Sequence, residues 1–275
     1  MSEDRLQKLM AHAGIASRRD CETIIEQRRV TVNGKIATLG DKADPQRDDI
    51  RVDGARLNLP DSYDYFMLHK PKDVISDEDV GGNWPAAREI IPLEGHLYPV
   101  GRLDVKSEGL MLFTNDGELA HKLTHPRYDH PKTYHVTVDG KPSEKTLETW
   151  RRGISLDGTR TRATEVRVIS KQRDTTVLEI VMREGRKRQI RRVAAALGHP
   201  AQRLVRVKLG PLELGNLPVG AWRRLTDEEI AALSAIREKK TRPPRSSGGG
   251  KGGQRGPSSR PKGQGKSRRG GKRRT

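Results

Sequence analysis

One cysteine, Cys21, is all that the 275 residues contain, which excludes an intramolecular disulfide and any multi-thiolate zinc site and fits a reducing compartment. Cys21 therefore reads as a small core residue. Aromatic side chains are scarce, at 4%, while charged residues make up 33%, so only part of the chain can be buried. Nowhere does a run of about 18 apolar residues offer a bilayer span, and the opening Met-Ser-Glu-Asp-Arg lacks the apolar core of a signal peptide. A soluble, cytoplasmic protein with no membrane partner is expected. No GxxxxGK[ST] loop occurs, no GxGxxG follows a strand pattern, and no Ser-His-Asp order stands out, which disfavours nucleotide-dependent chemistry and a hydrolytic triad. His121, His125, His130 and His135 are spaced like ligands. Without cysteine partners or a HExxH pairing they are assigned no metal.

Acidic residues are missing altogether after Glu238. Fourteen Lys or Arg fall between Lys239 and Thr275, so a formal charge of +18 for the chain becomes +4 for residues 1–238. The first 238 residues are only mildly basic, and a binding surface there has to come from local clustering. The last segment, made mostly of Pro, Gly, Ser, Lys and Arg, is expected to be a disordered basic tail. It would hold RNA through phosphates, or serve merely as a solubilising tail; its composition encodes no sequence choice.

Ahead of that tail the pattern divides near residue 60. Leu6, Leu9, Met10 and Ala13 recur at helical spacing, Gly14 interrupts, and Ser17 with Asp20 resembles a capping box before a helix that turns Cys21, Ile24 and Ile25 inward. Arg18, Arg19, Arg28 and Arg29 occupy the other face. Asn33-Gly34 and Asp53-Gly54 then sit between strand-like flanks as tight turns. From Tyr63 to about Ala232 strands alternate irregularly with helices, which are expected at Asp116 to Leu123, Ser143 to Arg152 and Gln189 to Leu197. Strand patterns cover Tyr65 to Leu68, Thr133 to Val138, Val166 to Ile169 and Val177 to Met182, and Thr226 with Glu229 caps a last helix. Without a regular βαβ period this favours an α+β class over a doubly wound sheet.

Three constellations could carry chemistry. Gly101-Arg102-Leu103-Asp104 leads through Ser107-Glu108-Gly109 into the apolar run Leu110-Met111-Leu112-Phe113, where Gly101 permits a backbone turn that holds Asp104 in place. Spacing alone favours a solvated loop aspartate paired with Arg102, since surface ion pairs are common. Glu184-Gly185-Arg186-Lys187-Arg188-Gln189-Ile190-Arg191-Arg192 places Arg188, Arg191 and Arg192 along one side of a helix whose stripe is Ile190, Val193, Ala194 and Leu197. Such a face would grip phosphates or complete a site. Tyr134, in Lys132-Thr133-Tyr134, is either an aromatic surface for an extruded base or an amphipathic residue at a strand edge.

Over Arg5 to Asp53 the chain resembles an alpha-L RNA-binding domain of the ribosomal-protein S-four type, on Gly14-Ile15-Ala16-Ser17-Arg18-Arg19 and Val32-Asn33-Gly34. From Arg5 to about Leu233 it resembles the bacterial ribosomal RNA pseudouridine synthases of the RsuA/RluB/RluE/RluF group. The likeness rests on Gly101-Arg102-Leu103-Asp104 continuing to Thr114-Asn115-Asp116-Gly117, with His69-Lys70-Pro71, Lys132-Thr133-Tyr134 and Gly185 to Arg192 in order. Lys72-Asp73 departs from the pattern, where many members have a glycine-containing turn.

That resemblance implies a small N-terminal RNA-binding domain (1–60), a catalytic domain (63–236) built on a mixed, mostly antiparallel sheet with flanking helices, and the tail (239–275). It implies Asp104 as the catalytic carboxylate, Arg102 as the group that displaces the target nucleotide, Tyr134 stacking on the base and Arg191 pairing with Asp104. Arg18, Arg19, Arg28, Arg29, Lys35, Arg186, Arg188 and Arg192 are the RNA-binding candidates. The expected partner is ribosomal RNA or a pre-ribosomal particle, more specifically of the large subunit, with no cofactor and a monomeric enzyme. A non-catalytic ribosome-assembly factor and the same chemistry on small-subunit RNA are the alternatives. A metal-dependent nuclease would want converging carboxylates, and only one is singled out.

Overall fold

Local signals account well for the first 60 residues. In the computed structural model, which describes residues 3–60, 62–76, 83–93 and 95–235, a short strand β1 (Asp4–Arg5) precedes helices α1 (Leu6–His12) and α2 (Arg18–Glu26). Ser17 caps α2, its hydroxyl accepting from the Asp20 N–H and donating to the Asp20 carboxylate. Hairpin strands β2 (Val30–Val32) and β3 (Lys35–Ile36) follow, then β4 (Lys42–Ala43), β5 (Ile50–Val52) and β6 (Ala55–Arg56). Asn33-Gly34 and Asp53-Gly54 both have positive φ, at +51°, +77°, +51° and +81°, the signature of two-residue turns whose twist suits adjacent strands. The order β3-β2-β5-β6 makes a small antiparallel sheet, against which Leu6, Met10, Cys21, Ile25, Val30 and Ile50 form a core of their own.

The larger part begins with β7 (Tyr65–Lys70), β8 (Tyr98–Val100), β9 (Glu108–Thr114), α3 (Gly117–Thr124) and β10 (Lys132–Asp139). It continues through α4 (Glu144–Arg152), the hairpin β11 (Ser155–Leu156) and β12 (Thr159–Arg160), β13 (Glu165–Lys171), β14 (Thr175–Met182), α5 (Gln189–Ala196), β15 (Ala201–Leu209), β16 (Leu212–Glu213), β17 (Trp222–Arg224) and α6 (Asp227–Ser234). One mixed sheet runs β13-β14-β10-β15-β9-β7-β17, with β8 on β9 and β16 on β15. Every pairing in it is antiparallel except β15 with β9. The mixed, mostly antiparallel α+β architecture expected from the pattern is therefore present.

Strand β9 is buried along its whole length, as befits a central strand covered on both faces. Leu110 and Leu112 join Met67, Leu119, Leu123 and Leu233 on one side, while Met111 and Phe113 join Phe66, Leu68 and Leu103 on the other. Helices α4 and α5 cover the far end through Trp150, Leu147, Ile190 and Val193. Gly153 ends α4 at φ +81°, where an added Cβ would sit 2.3 Å from the Thr161 carbonyl, so only glycine fits. Thr226 and Glu229 form the expected capping box of α6.

Contacts tie the N-terminal part to the larger one: Lys8 bonds Glu118, and His12 stacks on Tyr63. Among the described residues no helix is long and apolar enough to cross a membrane. The expected basic tail, 239–275, lies outside the described residues.

Candidate active site

Asp104 stands on the loop between β8 and β9, and the chain fastens that loop from four directions. Gly101 turns it at φ +76°. Leu103 plugs into the core, its N–H donating to Ser76 Oγ at 2.9 Å while Ser76 Oγ donates back to the Leu103 carbonyl at 2.7 Å. The Asp104 carbonyl accepts from the Ser107 N–H at 2.9 Å. The Val105 carbonyl accepts from the Asp73 N–H at 2.9 Å and from Lys70 Nζ at 3.4 Å. Arg191 Nη2 donates to the Lys106 carbonyl at 2.7 Å. Four consecutive carbonyls, from Leu103 to Lys106, are thus satisfied, which leaves the loop little freedom. Asp73 itself takes φ +61°, the left-handed conformation for which glycine is suited and which a short aspartate tolerates. The Lys72-Asp73 departure therefore still makes a turn that reaches the Asp104 loop.

Below the loop, the sheet lines up a row of functional groups. Tyr134 on β10 pairs with Arg206 on β15, Arg206 with Gly109 on β9, and Gly109 with Lys70 on β7. Residues so paired share one face. Lys70 is wholly buried and Arg206 is 1% exposed. Gly109 makes room between them: it has φ +112°, and a Cβ there would lie 2.3 Å from the Arg206 carbonyl oxygen. It is thus a strand glycine required by close backbone approach. Arg206 Nε donates to the Leu110 carbonyl at 2.8 Å, while its Nη2 has no hydrogen-bond partner among the described residues.

Burial pushes the Lys70 ammonium down to about 8, although Asp73, Glu108 and Asp104 work the other way. Burial likewise lowers the affinity of Arg191 for its proton, opposed chiefly by the charge of Asp104. Glu108 is buried too, yet Arg203, bonded at 2.9 and 3.2 Å, and Lys72, at 3.4 Å, outweigh desolvation and hold it below the usual carboxylate range. Asp104 is the half-buried carboxylate of this group, with Lys70 and Arg191 as its electrostatic neighbours.

The expected direct pairing of Arg191 with Asp104 is not formed: the two make no ion pair within 4.0 Å. Instead the guanidinium bonds the Ala201 and Lys106 carbonyls at 3.0 and 2.7 Å, because α5 packs against the base of the loop. Its Nε is buried without a partner. Tyr134 is half-buried and touches two apolar clusters, and Arg102 is exposed beside Asp104.

The profile of the RNA pseudouridylate synthase family matches residues 64–196, and that of the S4 domain matches residues 4–49. A ribosomal large subunit pseudouridine synthase B of Bacillus subtilis is 40% identical over 237 residues, covering 85% of this chain and 96% of that protein. The chain belongs to the RNA pseudouridine synthase family. A dual-specificity RNA pseudouridine synthase of Escherichia coli is 34% identical over 242 residues, covering 86% of this chain and 80% of its own length. A solved pseudouridylate synthase superposes with a TM-score of 0.60 at 32% identity, over 83% of this chain and 99% of its own.

In this synthase the remaining candidates part company. Arg186 donates to the Thr159 and Arg160 carbonyls, and Arg192 pairs with Asp157 at 2.5 Å. Both fasten the β11–β12 hairpin instead of lying open for RNA. The continuous arginine face expected of α5 is interrupted because Arg188 is its N-cap, at φ +53°, and only Arg188 is fully exposed. On the N-terminal part Arg18, Arg19, Arg28 and Lys35 are exposed, whereas Arg29 is taken by a two-pronged bond to Asp53 at 2.8 and 2.6 Å.

Two members of the synthase site went unassigned in the sequence. Lys70 was visible only as a letter of His69-Lys70-Pro71. Arg206 lies in Val205-Arg206-Val207-Lys208-Leu209, whose alternation of charged and apolar residues was the available signal. Of the four histidines, His121 and His125 lie ring to ring at 5.1 Å and His130 Nε2 meets the Lys122 carbonyl. Among the described residues no group of three or more His, Cys, Asp or Glu is placed to hold a metal.

Proposed function

We propose that this synthase converts a specific uridine of large-subunit ribosomal RNA to pseudouridine, as a monomer in the cytoplasm, with Asp104 as the carboxylate at the reacting ribose. The reaction breaks the bond from uracil N1 to ribose C1′, turns the detached ring, and joins uracil C5 to C1′. The proton lost at C5 is matched by one gained at N1, so neither composition nor oxidation state changes. A carboxylate fixed near C1′ and C2′ serves this chemistry as nucleophile or as base. The observation that carries the reading is the Asp104 loop, held through four consecutive carbonyls, with Lys70 and Arg191 as its cationic surroundings.

Lys70 and Arg191 are positioning residues in this scheme, fastening the backbone just after Asp104, at Val105 and Lys106, and complementing its charge. Uridine has to leave its stack to reach a half-buried carboxylate, which costs a few kcal/mol. Exposed Arg102 enters the vacated space and Tyr134 receives the ring. Residues 1–60 dock the structured RNA, 63–236 perform the chemistry, and the cations of 239–275 add phosphate contacts. Assignment to the large subunit is supported by the name of the Bacillus subtilis relative.

Pseudouridine mapping of ribosomal RNA from cells lacking the protein tests this directly. One large-subunit site loses its pseudouridine, wild type restores it, and Asp104→Asn does not. Restoration by the variant, or no missing site, overturns the reading.

A further inference from the structure

Flipping a uridine leaves the bases on either side without a stacking neighbour, and the rim of the Asp104 loop carries an aromatic surface of the right kind. Trp84 is 43% exposed, an unusual place for the largest apolar side chain. Lys106 Nζ lies over its ring, 4.9 Å from the centroid, and is itself bonded to Asp73 Oδ1 at 2.5 Å. A cation over an indole face orients the ring.

The backbone around Trp84 is fastened to the site as well. The next residue, Pro85, accepts from the Ile75 N–H at 3.0 Å, and Ala87 N–H donates to the Ile75 carbonyl at 2.8 Å. Ile75 precedes Ser76, the residue that grips Leu103. Lys106 follows Asp104 by two residues and offers its carbonyl to Arg191. Trp84 is therefore tied to the same segment, Asp73 to Ser76, that grips the Asp104 loop. Other described aromatics near the loop are less open: Tyr98, Tyr134 and Trp222 are half-buried, and Phe66 and Phe113 are in the core.

We propose that Trp84, held by Lys106, is the stacking platform for a nucleobase that flanks the extruded uridine. The inference rests on the RNA-modifying reading above and adds the subsite for the neighbouring nucleotide. Base on indole is sequence-tolerant, because every base has a π-face. Trp84 thus steadies the opened strand while Arg102 and Tyr134 handle the target.

The test uses the full chain and an in vitro transcript of large-subunit ribosomal RNA, substituted with 4-thiouridine for photo-crosslinking and separately labelled with tritium at uridine C5. Irradiated complexes of wild type and of Asp104→Asn both yield an RNA adduct on the tryptic peptide that ends at Arg88, with the adduct at Trp84. Trp84→Ala raises KM for the transcript about 5- to 100-fold, the range expected for one lost base–aromatic stack, and lowers kcat by much less. Trp84→Phe restores most of the KM. Adducts confined to other peptides, an unchanged KM in Trp84→Ala, or a failure of Phe to rescue overturns the platform. Tritium release by wild type reports the catalytic reading separately: if it is absent while the Trp84 adduct forms, the platform stands and the assigned reaction or substrate falls.

Discussion

Arg18, Arg19, Arg28 and Lys35 of the N-terminal part are exposed, whereas Arg186, Arg191, Arg203 and Arg206 of the larger part donate to backbone carbonyls or to Glu108. The residue types are the same and the surroundings opposite. On the first surface a cation keeps its hydration and its donors, so it can meet a phosphate and release counterions. Around the Asp104 loop the guanidinium serves as a strut between backbone carbonyls, which suits its planar fork and its reluctance to lose a proton. Counting arginines therefore says little about RNA contact. What each nitrogen already holds decides it.

The sharpest way to break this division is at the strut end. Gly109→Ala puts a Cβ 2.3 Å from the Arg206 carbonyl oxygen at φ +112°; a loss of about 4 kcal/mol or outright failure to fold is expected from chemical denaturation. Unchanged stability would mean that the close β9–β15 approach is not formed. Next in size, Arg191→Met removes the bond to the Lys106 carbonyl and leaves RNA-facing cations alone. Single-turnover rates on rRNA transcript fall by about 100-fold, as for one lost positioning contact, with RNA affinity unchanged. A loss in affinity instead would move Arg191 to the phosphate-binding group.

Lys70 sharpens the comparison through pH. Its proton leaves the folded protein at about 8, below the 10.5 of an ordinary lysine. Between those values the unfolded chain binds more protons than the folded one, so stability rises with pH across the window, and the cost of the buried charge is fully present below it. Lys70→Met removes that rise. Urea midpoints at pH 7.5, 9 and 10 measure it as a wild type minus variant difference that grows with pH. A flat difference would show Lys70 to be neutral or fully compensated throughout.

The smallest effects belong to the open surface. Arg18→Ala, Arg19→Ala and Lys35→Ala each weaken RNA binding modestly and reduce the slope of log affinity against log salt by about 1. Thermal unfolding is unmoved, because among the described residues these exposed side chains hold no hydrogen bond or ion pair that their loss would strand. Arg29→Ala provides the contrast: its guanidinium is bound to Asp53, so it changes the salt slope less than its neighbours do.

Elements governed by contacts within a few residues were legible. Ser17 and Thr226 cap helices, Asn33-Gly34 and Asp53-Gly54 turn hairpins, and Gly153 ends α4 because each answers a local backbone requirement. Asp104 was legible through its motif, and the cations that surround it only in part. Arg188, Arg191 and Arg192 have the spacing of one helical face, but the helix begins at Gln189, and Asp157 and Lys106, 35 and 85 residues away from the arginines they meet, draw two of them apart. Helical periodicity carries no information about such partners.

By itself, the sequence determined an α+β chain with a small basic N-terminal part and the aspartate motif of an RNA-modifying family, because periodicity, caps and the motif from Gly101 to Gly117 are written in neighbouring residues. Tertiary structure alone decided that β15 runs parallel to β9, that Gly109 lies against Arg206, and that Tyr134, Arg206, Gly109 and Lys70 share a row. These residues come from strands far apart in the chain, and their register is set by which buried faces pair across the sheet, a choice that no short window of residues contains.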